Sequence, residues 1–466
     1  MIRVVINGTE YTAHADERLS DLLIRTGNAI PMLCAGRGTC GKCRVTVNGR
    51  QELACQYRIH AQADVVLPQP EHMESETGAR PDTARTGNVL ALDIGTTTLA
   101  LALARQEDGQ IERVVTRANP QRAYGADVMS RIACCAEHGV PALQRAVLGA
   151  VGDMCRELDA PDVETMYVSG NSTMLHLFFG ADPSGMGAAP YTPVFLGTKT
   201  VTGESLGLAH IQNVVSLPSA AAFVGADLTA GLNEIGMPPE GKYRLLLDLG
   251  TNAEIVLFSR GTAVCTAAAA GPCFEGANIS CGMSASAGAI CAYDAQGPRT
   301  IGDVPAAGLC GTGLVDVIAA LLDAGTVDET GYMACGACEL APGVVLTQAD
   351  VRQYQLAKAA VSAAMQTLLR RQNVRYEDVD ALYIAGGFST KIHVGNAVKT
   401  GLLPAQLAEK CIAVGNSSLL GTVKYACEQN DLSVYLDRMQ YVDLNADPAF
   451  SDLFIGNMLF AQSADA

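Results

Sequence analysis

The stretch Asp93-Ile-Gly-Thr-Thr-Thr98 decides how most of this chain folds. An apolar strand, Val89 to Leu92, runs into it, and Leu99 to Ala104 reads as the returning strand. A hairpin that turns sharply at Gly95 aims successive N–H groups and threonine hydroxyls at one spot, a nest for phosphate oxygens. The aspartate ahead of the turn can hold a hydrated Mg2+ or orient an attacking water. The chain then repeats the device. Leu245 to Leu247 leads into Asp248-Leu-Gly-Thr-Asn252, and Ile255 to Phe258 returns. The two aspartates lie 155 residues apart, a half-domain spacing consistent with internal duplication. A third apolar strand, Ala381 to Ala385, ends in Gly386-Gly387, where backbone can approach a flat or bulky ligand closely.

One such turn occurs in many proteins; three in this order and spacing do not. Together they resemble the phosphate-1, phosphate-2 and adenosine motifs of the actin, sugar-kinase and heat-shock ATPase (ASKHA) superfamily. The resemblance implies an α/β fold of two ribonuclease-H-like halves with ATP and Mg2+ in the cleft between them. It assigns Asp93, Gly95, Thr96, Thr97 and Thr98 to one side of the phosphates, and Asp248, Gly250, Thr251 and Asn252 to the other. Asp93 and Asp248 take the catalytic positions, and Gly386 and Gly387 flank adenosine. Glu254 stands near the metal in sequence, and Glu275 in the loop Gly271-Pro-Cys-Phe-Glu-Gly276 has no role that spacing reveals.

Upstream, Cys34 to Cys43 reads CAGRGTCGKC, three cysteines at C-x5-C-x2-C spacing, and Cys55 follows after eleven more residues. Gly36, Gly38 and Gly41 let this loop curl around what the thiolates hold. Three cysteines on one short loop and a fourth beyond it point to 2Fe–2S ligation. Zinc knuckles or buried structural thiols are the alternatives, but zinc sites usually pair two C-x2-C knuckles and here there is one. Around the loop, Ile2 to Ile6 and Thr9 to Ala13 form strands about an Asn7-Gly8 hairpin turn, and Asp16 to Arg25 has helical spacing. Arg44 to Val47 and Asp64 to Leu67 add further strands. Residues 1–68 thus resemble the 2Fe–2S ferredoxin (β-grasp) fold, which places Cys34, Cys40, Cys43 and Cys55 at the metal. The first cysteine gap is one residue longer than in plant ferredoxins.

The chain has 466 residues, enough for two or three domains, and a net charge of −16 with no basic run, which argues against nucleic-acid or anionic-membrane partners. Sixteen cysteines with no signal region or long apolar run lead us to expect a cytoplasmic protein in a reducing compartment. Pro68 to Gly87 carries three prolines and many charges and reads as a linker, either a passive spacer or a tether that lets a redox domain visit two places in turn. The expected organisation is therefore a ferredoxin-like domain at 1–68, a linker at 69–87 and an ATPase domain at 88–466 with halves near 88–240 and 241–466. Within the ATPase, Val168 to Phe178 reads as a strand turning into an amphipathic helix, with His176 a packing residue. Asp127 and Arg131 read as an i,i+4 ion pair. Thr347-Gln-Ala-Asp350 is a capping box opening a helix to about Arg371.

A ferredoxin-like domain joined to this ATPase is a rare pairing. Phrases such as NPQRAYGADVMSRI, SGNSTMLHLF, DLGTNAE, GPCFEGANISCGM, GLCGTGLVDVI and YIAGGFS are similar to the reductive activators of corrinoid proteins in methyltransferase systems. That resemblance implies one-electron reduction of an inactive Co(II) corrinoid to Co(I), driven by ATP, with a corrinoid protein and a low-potential electron donor as partners and a homodimeric assembly. The alternatives are an activating ATPase of acyl-CoA dehydratases, in which Cys310 would matter, and a small-molecule kinase carrying a redox domain. Cys335 and Cys338 form a lone C-x2-C without an assigned role.

Overall fold

The computed structural model describes residues 1–26, 28, 30, 43–68, 87–160, 163–387 and 389–460. Cys34, Cys40 and the loop glycines 36, 38 and 41 lie outside the described residues, as does the linker from 69 to 86.

The amino-terminal unit is a five-stranded mixed sheet in the order Thr9–Ala13, Ile2–Ile6, Ala63–Val66, Arg44–Val47, Arg50–Leu53. Both Asn-Gly turns form as their residues dictate, with positive φ at Asn7, Gly8, Asn48 and Gly49. The helix is shorter than its sequence suggests. It spans Leu19–Arg25, because Glu17–Arg18 pair instead as a strand with Arg58–Ile59. Leu19, Leu22 and Leu23 bury against Val4, Val45, Ile59 and Val65 to form the core.

The rest of the chain builds the same sheet twice. Each sheet has six strands, five of them shared. In the first the order is Ile111–Ala118, Thr98–Arg105, Asn88–Ile94, Val163–Gly170, Ile211–Ser216, with Thr200–Thr202 added beyond the last; in the second it is Ala263–Ala268, Ala253–Phe258, Tyr243–Leu249, Val379–Ala385, Cys411–Gly415, with Met439–Tyr441 added beyond the first. The five shared strands correspond one to one. Over them each sheet reads 3-2-1-4-5, antiparallel among its first three strands and parallel from the first to the fourth. Two sheets of one topology, each opening on a D-x-G-T hairpin, are the duplicated ribonuclease-H-like architecture expected from the sequence. The two central strands read as near-continuous apolar runs because helices cover both faces. The capped helix Gln348–Arg371 forms with both hydrogen bonds of its Thr347–Asp350 box. By contrast Ser172–Phe178 is buried on every residue and so is not amphipathic; His176 packs flat against Phe195.

The helix after the fifth strand of each half, Ala226–Ile235 and Ser417–Glu428, crosses its counterpart. Small residues let the backbones touch: a Cβ on Gly421 would lie 1.8 Å from the carbonyl oxygen of Ala230, and one on Gly231 would press on Ser417. Ser417–Glu428 belongs in sequence to the second half, yet Leu419, Val423 and Ala426 pack on Val89, Ala91, Ala100 and Ala102 of the first sheet. The halves are thereby laced together. Gly421→Ala has no room at this crossing and should cost about 2 kcal/mol or more, read as a lowered midpoint in thermal unfolding; a variant as stable as wild type would contradict the close packing.

Candidate functional site

The first phosphate-type loop is held from behind. Gly95 N–H closes the turn on the Thr98 carbonyl at 2.9 Å. Asn119 donates from its side-chain amide to the Gly95 carbonyl (2.8 Å) and from its backbone to the Thr97 carbonyl (2.8 Å), while the Arg131 guanidinium takes the Thr96 carbonyl at 2.5 Å. Three consecutive carbonyls are thus drawn to one side. In planar trans peptides the following N–H groups, of Thr96, Thr97 and Thr98, then point the other way. This is how the loop becomes a set of donors.

Arg131 corrects the expected ion pair. Its guanidinium is fully buried and bonds the carbonyls of Gly125 and Thr96, and burial, followed by the charge of Arg122, lowers its pKa. Asp127 is occupied in capping helix Val128–His138 with Ser130.

Asp93 is 9% exposed, and its two carboxylate oxygens accept from Ser418 Oγ (2.7 Å) and Asn416 Nδ2 (2.9 Å) at the head of helix Ser417–Glu428. Ser418 also meets Ser169 Oγ at 2.8 Å, and Thr422 donates to Ser169 at 2.7 Å, so a buried hydroxyl chain backs the carboxylate. Asp248 and Glu254 lie directly opposite on antiparallel strands, which puts their side chains on one face. Asp227, in the first turn of helix Ala226–Ile235, joins them electrostatically. Asp93 is buried and Asp227, Asp248 and Glu254 are half-buried, so protein crowds most of each carboxyl. Burial, then the charge of Asp93, pushes Asp248 up to about 7. Burial first, and carboxylate neighbours second, also raise Asp227 and Glu254; burial raises Asp93 against the pull of Ser418 and Asn416.

The second loop closes by a bond from Gly250 N–H to the Asn252 carbonyl at 3.0 Å. Parallel pairing of Val379–Ala385 with Tyr243–Leu249 delivers Gly386 to it: at φ +101°, a Cβ there would sit 2.2 Å from the Leu249 carbonyl oxygen and 3.1 Å from Asp248 Oδ1. Only glycine fits. Gly387 faces open space. The structure therefore brings the neighbourhoods of Asp93, Asp248 and Gly386 together, and adds Asn119, Arg131, Asp227, Ser418 and Glu275, which the sequence did not single out for the site. Glu275 ties the loops: Thr97 Oγ1 donates to its carboxylate at 2.9 and 3.0 Å, and Thr251 Oγ1 at 2.8 Å.

In the amino-terminal unit, the Ala54 N–H donates to the Cys43 carbonyl at 2.9 Å, because Arg44 pairs with Leu53 across the hairpin. That register sets Cys43 and Cys55 side by side, both buried, with their sulfurs 3.3 Å apart. Two thiols converging at the edge of a glycine-rich loop fit a cluster bound by that loop. Cys310 begins helix Gly311–Asp323 and points at the Ile290 carbonyl, and Cys335 is exposed. Among the described residues no helix is long and apolar enough to cross a membrane.

Raised carboxyl pKa values make stability depend on pH. A group whose folded-state pKa exceeds its unfolded value holds a proton that the unfolded chain has released, so its contribution is present at low pH and lost as pH climbs through the folded value. The unfolding midpoint of nucleotide-free protein should fall between about pH 5 and pH 8, and Asp248→Asn should flatten the profile. A midpoint rising through that window in thermal melts would count against the crowded cluster.

Three family models match the chain: a 2Fe-2S iron-sulfur cluster binding domain over 1–68, the RACo middle region over 89–240, and the C-terminal domain of RACo, the ASKHA domain, over 242–466. The corrinoid activation enzyme RamQ of Eubacterium limosum is 29% identical over 419 residues, covering 80% of this chain and 70% of that protein. A [Co(II) methylated amine-specific corrinoid protein] reductase of Methanosarcina barkeri is 27% identical over 370 residues, covering 71% and 68%. A solved reductive activator for corrinoid,iron-sulfur protein shares the fold across 98% of both chains, with a TM-score of 0.73 at 24% identity.

Proposed function

Because the chain belongs to the RACo family, the reductive activators of corrinoid proteins, we propose that it uses ATP to return one electron to a Co(II) corrinoid and restore Co(I). What carries the reading is the joining, in one chain, of the converging Cys43 and Cys55 thiols to a pair of phosphate-type loops. The matches to both RACo models favour it over a dehydratase activator or a small-molecule kinase.

Cys34, Cys40, Cys43 and Cys55 hold the 2Fe–2S cluster. When bound, such a cluster would supply a one-electron carrier at a potential of about −400 mV. Every ~59 mV uphill for one electron costs tenfold in equilibrium, so a more reducing acceptor needs help. That help must be differential binding of one state of the acceptor, because a clamp that grips both states equally shifts nothing. Residues 69–87 join the cluster domain to the ATPase domain, 88–466, in one chain, so that one protein carries both the electron and the nucleotide.

In the ATPase, the turn closed by Gly95 presents the donors of Thr96, Thr97 and Thr98 to one side of the polyphosphate, and the turn closed by Gly250 presents those of Thr251 and Asn252 to the other, with Gly386 and Gly387 beside adenosine. Among the described residues no three His, Cys, Asp or Glu side chains converge closely enough to grip an ion directly. Asp93 and Asp248, close enough for the charge of one to raise the other, fit Mg2+, which keeps several waters and is held through phosphate oxygens. Asp93, fixed by Ser418 and Asn416, and Asp248 act at the phosphates and their hydrated metal. The partners are a corrinoid protein and a low-potential electron donor; the chain works as a homodimer in the cytoplasm, without nucleic acid or membrane.

The test is anaerobic. Reconstituted protein, a low-potential reductant and a Co(II) corrinoid protein are mixed, and the cobalt spectrum is followed. Omitting ATP should slow the appearance of Co(I) by at least about tenfold, the cost of ~59 mV, and Cys55→Ser should abolish it together with the iron and sulfide content. Equal rates with and without ATP defeat the coupling.

A further inference from the structure

Glu275 bridges the two loops, and the nucleotide reading leaves it without a task. Its carboxylate accepts the hydroxyl of Thr97 from the first loop and of Thr251 from the second. Thr97 and Glu275 are 178 positions apart, one in each half. Among the described residues no lysine, arginine or histidine forms a salt bridge with Glu275; the nearby Arg131 is spent on backbone carbonyls and acts on it only through space. A hydroxyl has one proton to donate, so while Thr97 and Thr251 serve Glu275 they cannot serve a phosphate oxygen. A carboxylate left there would also repel an incoming polyphosphate.

We propose that Glu275 is an internal stand-in for a nucleotide phosphate: it clasps the two loops in the nucleotide-free protein, and the polyphosphate of a magnesium nucleotide must displace it. The local backbone suits such an exchange. Glu275 ends the short turn Pro272–Glu275, between Gly271 at φ +77° and Gly276 at φ +76°. Its neighbours Cys273 and Phe274 are buried, and a Cβ on Gly311 would lie 2.0 Å from the Phe274 carbonyl oxygen. The turn is therefore pinned while the Glu275 side chain alone spans the cleft. Binding then becomes an exchange of one anion for another, and the clasp keeps the loops in register while the site is empty. It also sets a threshold, since a ligand with too little negative charge gains less from the hydroxyls than Glu275 gives up.

This rests on the reading of the two hairpins as phosphate loops, and the experiment separates the two. Full-length protein is titrated calorimetrically with Mg2+ and ADPNP, as wild type, Glu275→Gln and Glu275→Ala. Removing the competing charge should tighten binding by about tenfold, the worth of one charge-assisted hydrogen bond. Unchanged or weaker binding in the variants, with wild type binding normally, overturns the clasp and makes Glu275 an aligning group. No binding by wild type overturns the phosphate reading and the clasp with it. Thermal unfolding gives a second criterion: Glu275→Gln should lower the midpoint of the nucleotide-free protein and leave that of the ADPNP-saturated protein unchanged. An equal drop in both states marks a merely structural residue and also overturns the proposal. If neither variant folds, Glu275→Asp, which keeps the charge but is one methylene shorter, takes the thermal measurement: a larger drop in the midpoint of the nucleotide-free protein than in that with ADPNP supports the clasp, and an equal drop in both states overturns it.

Discussion

A carboxylate from one half of the ATPase sits on the head of a helix from the other. Asp93 accepts from Asn416 and Ser418, the residues that open Ser417–Glu428, and that helix lies on the first sheet although its sequence follows the second. A buried carboxylate is expensive unless its lone pairs are filled, and a helix amino terminus is where negative charge is least costly. Both conditions are met here, so the position of Asp93 fixes where the helix begins. The helix in turn fixes how the second sheet lies against the first. Ser169 and Thr422 extend the contact into a chain of buried hydroxyls.

The cleft shows the same economy. Asn119 and Arg131 draw three carbonyls back from the first loop, and Gly386 lets the fourth strand of the second sheet touch the second loop. None of these residues needs to meet a ligand to matter. They set the direction in which donors point before anything binds, which is the cheapest way to recognise a polyphosphate.

How much of this was legible beforehand follows from how far apart the partners are. The D-x-G-T hairpins, the two Asn-Gly turns, the Thr347–Asp350 box and the duplication were readable because each is a local pattern or a repeat. Glu275, Asp227 and Ser418 were not, because their meaning arises only when chain segments 178 or 325 positions apart come together. Where a local rule misled, tertiary structure outbid it. The i,i+4 spacing of Asp127 and Arg131 favours a surface pair, but Arg131 is buried and bonds carbonyls, while Asp127 caps its helix. Residues 16–18 have helical spacing with the leucines that follow, yet Glu17–Arg18 pair with Arg58–Ile59 in a short ladder.

The crossing of Ala226–Ile235 with Ser417–Glu428, where a glycine rests against a carbonyl, behaves as a rivet. A contact with no slack cannot slide, so a strain put on one half at this crossing passes to the other as along a lever. Leverage runs both ways along such a device: whatever seizes the outer ends of the arms must strain the grip on the ligand at the inner ends, and by thermodynamic reciprocity the ligand strains whatever is seized. A protein docked across the arms would then feel each change of nucleotide without touching it.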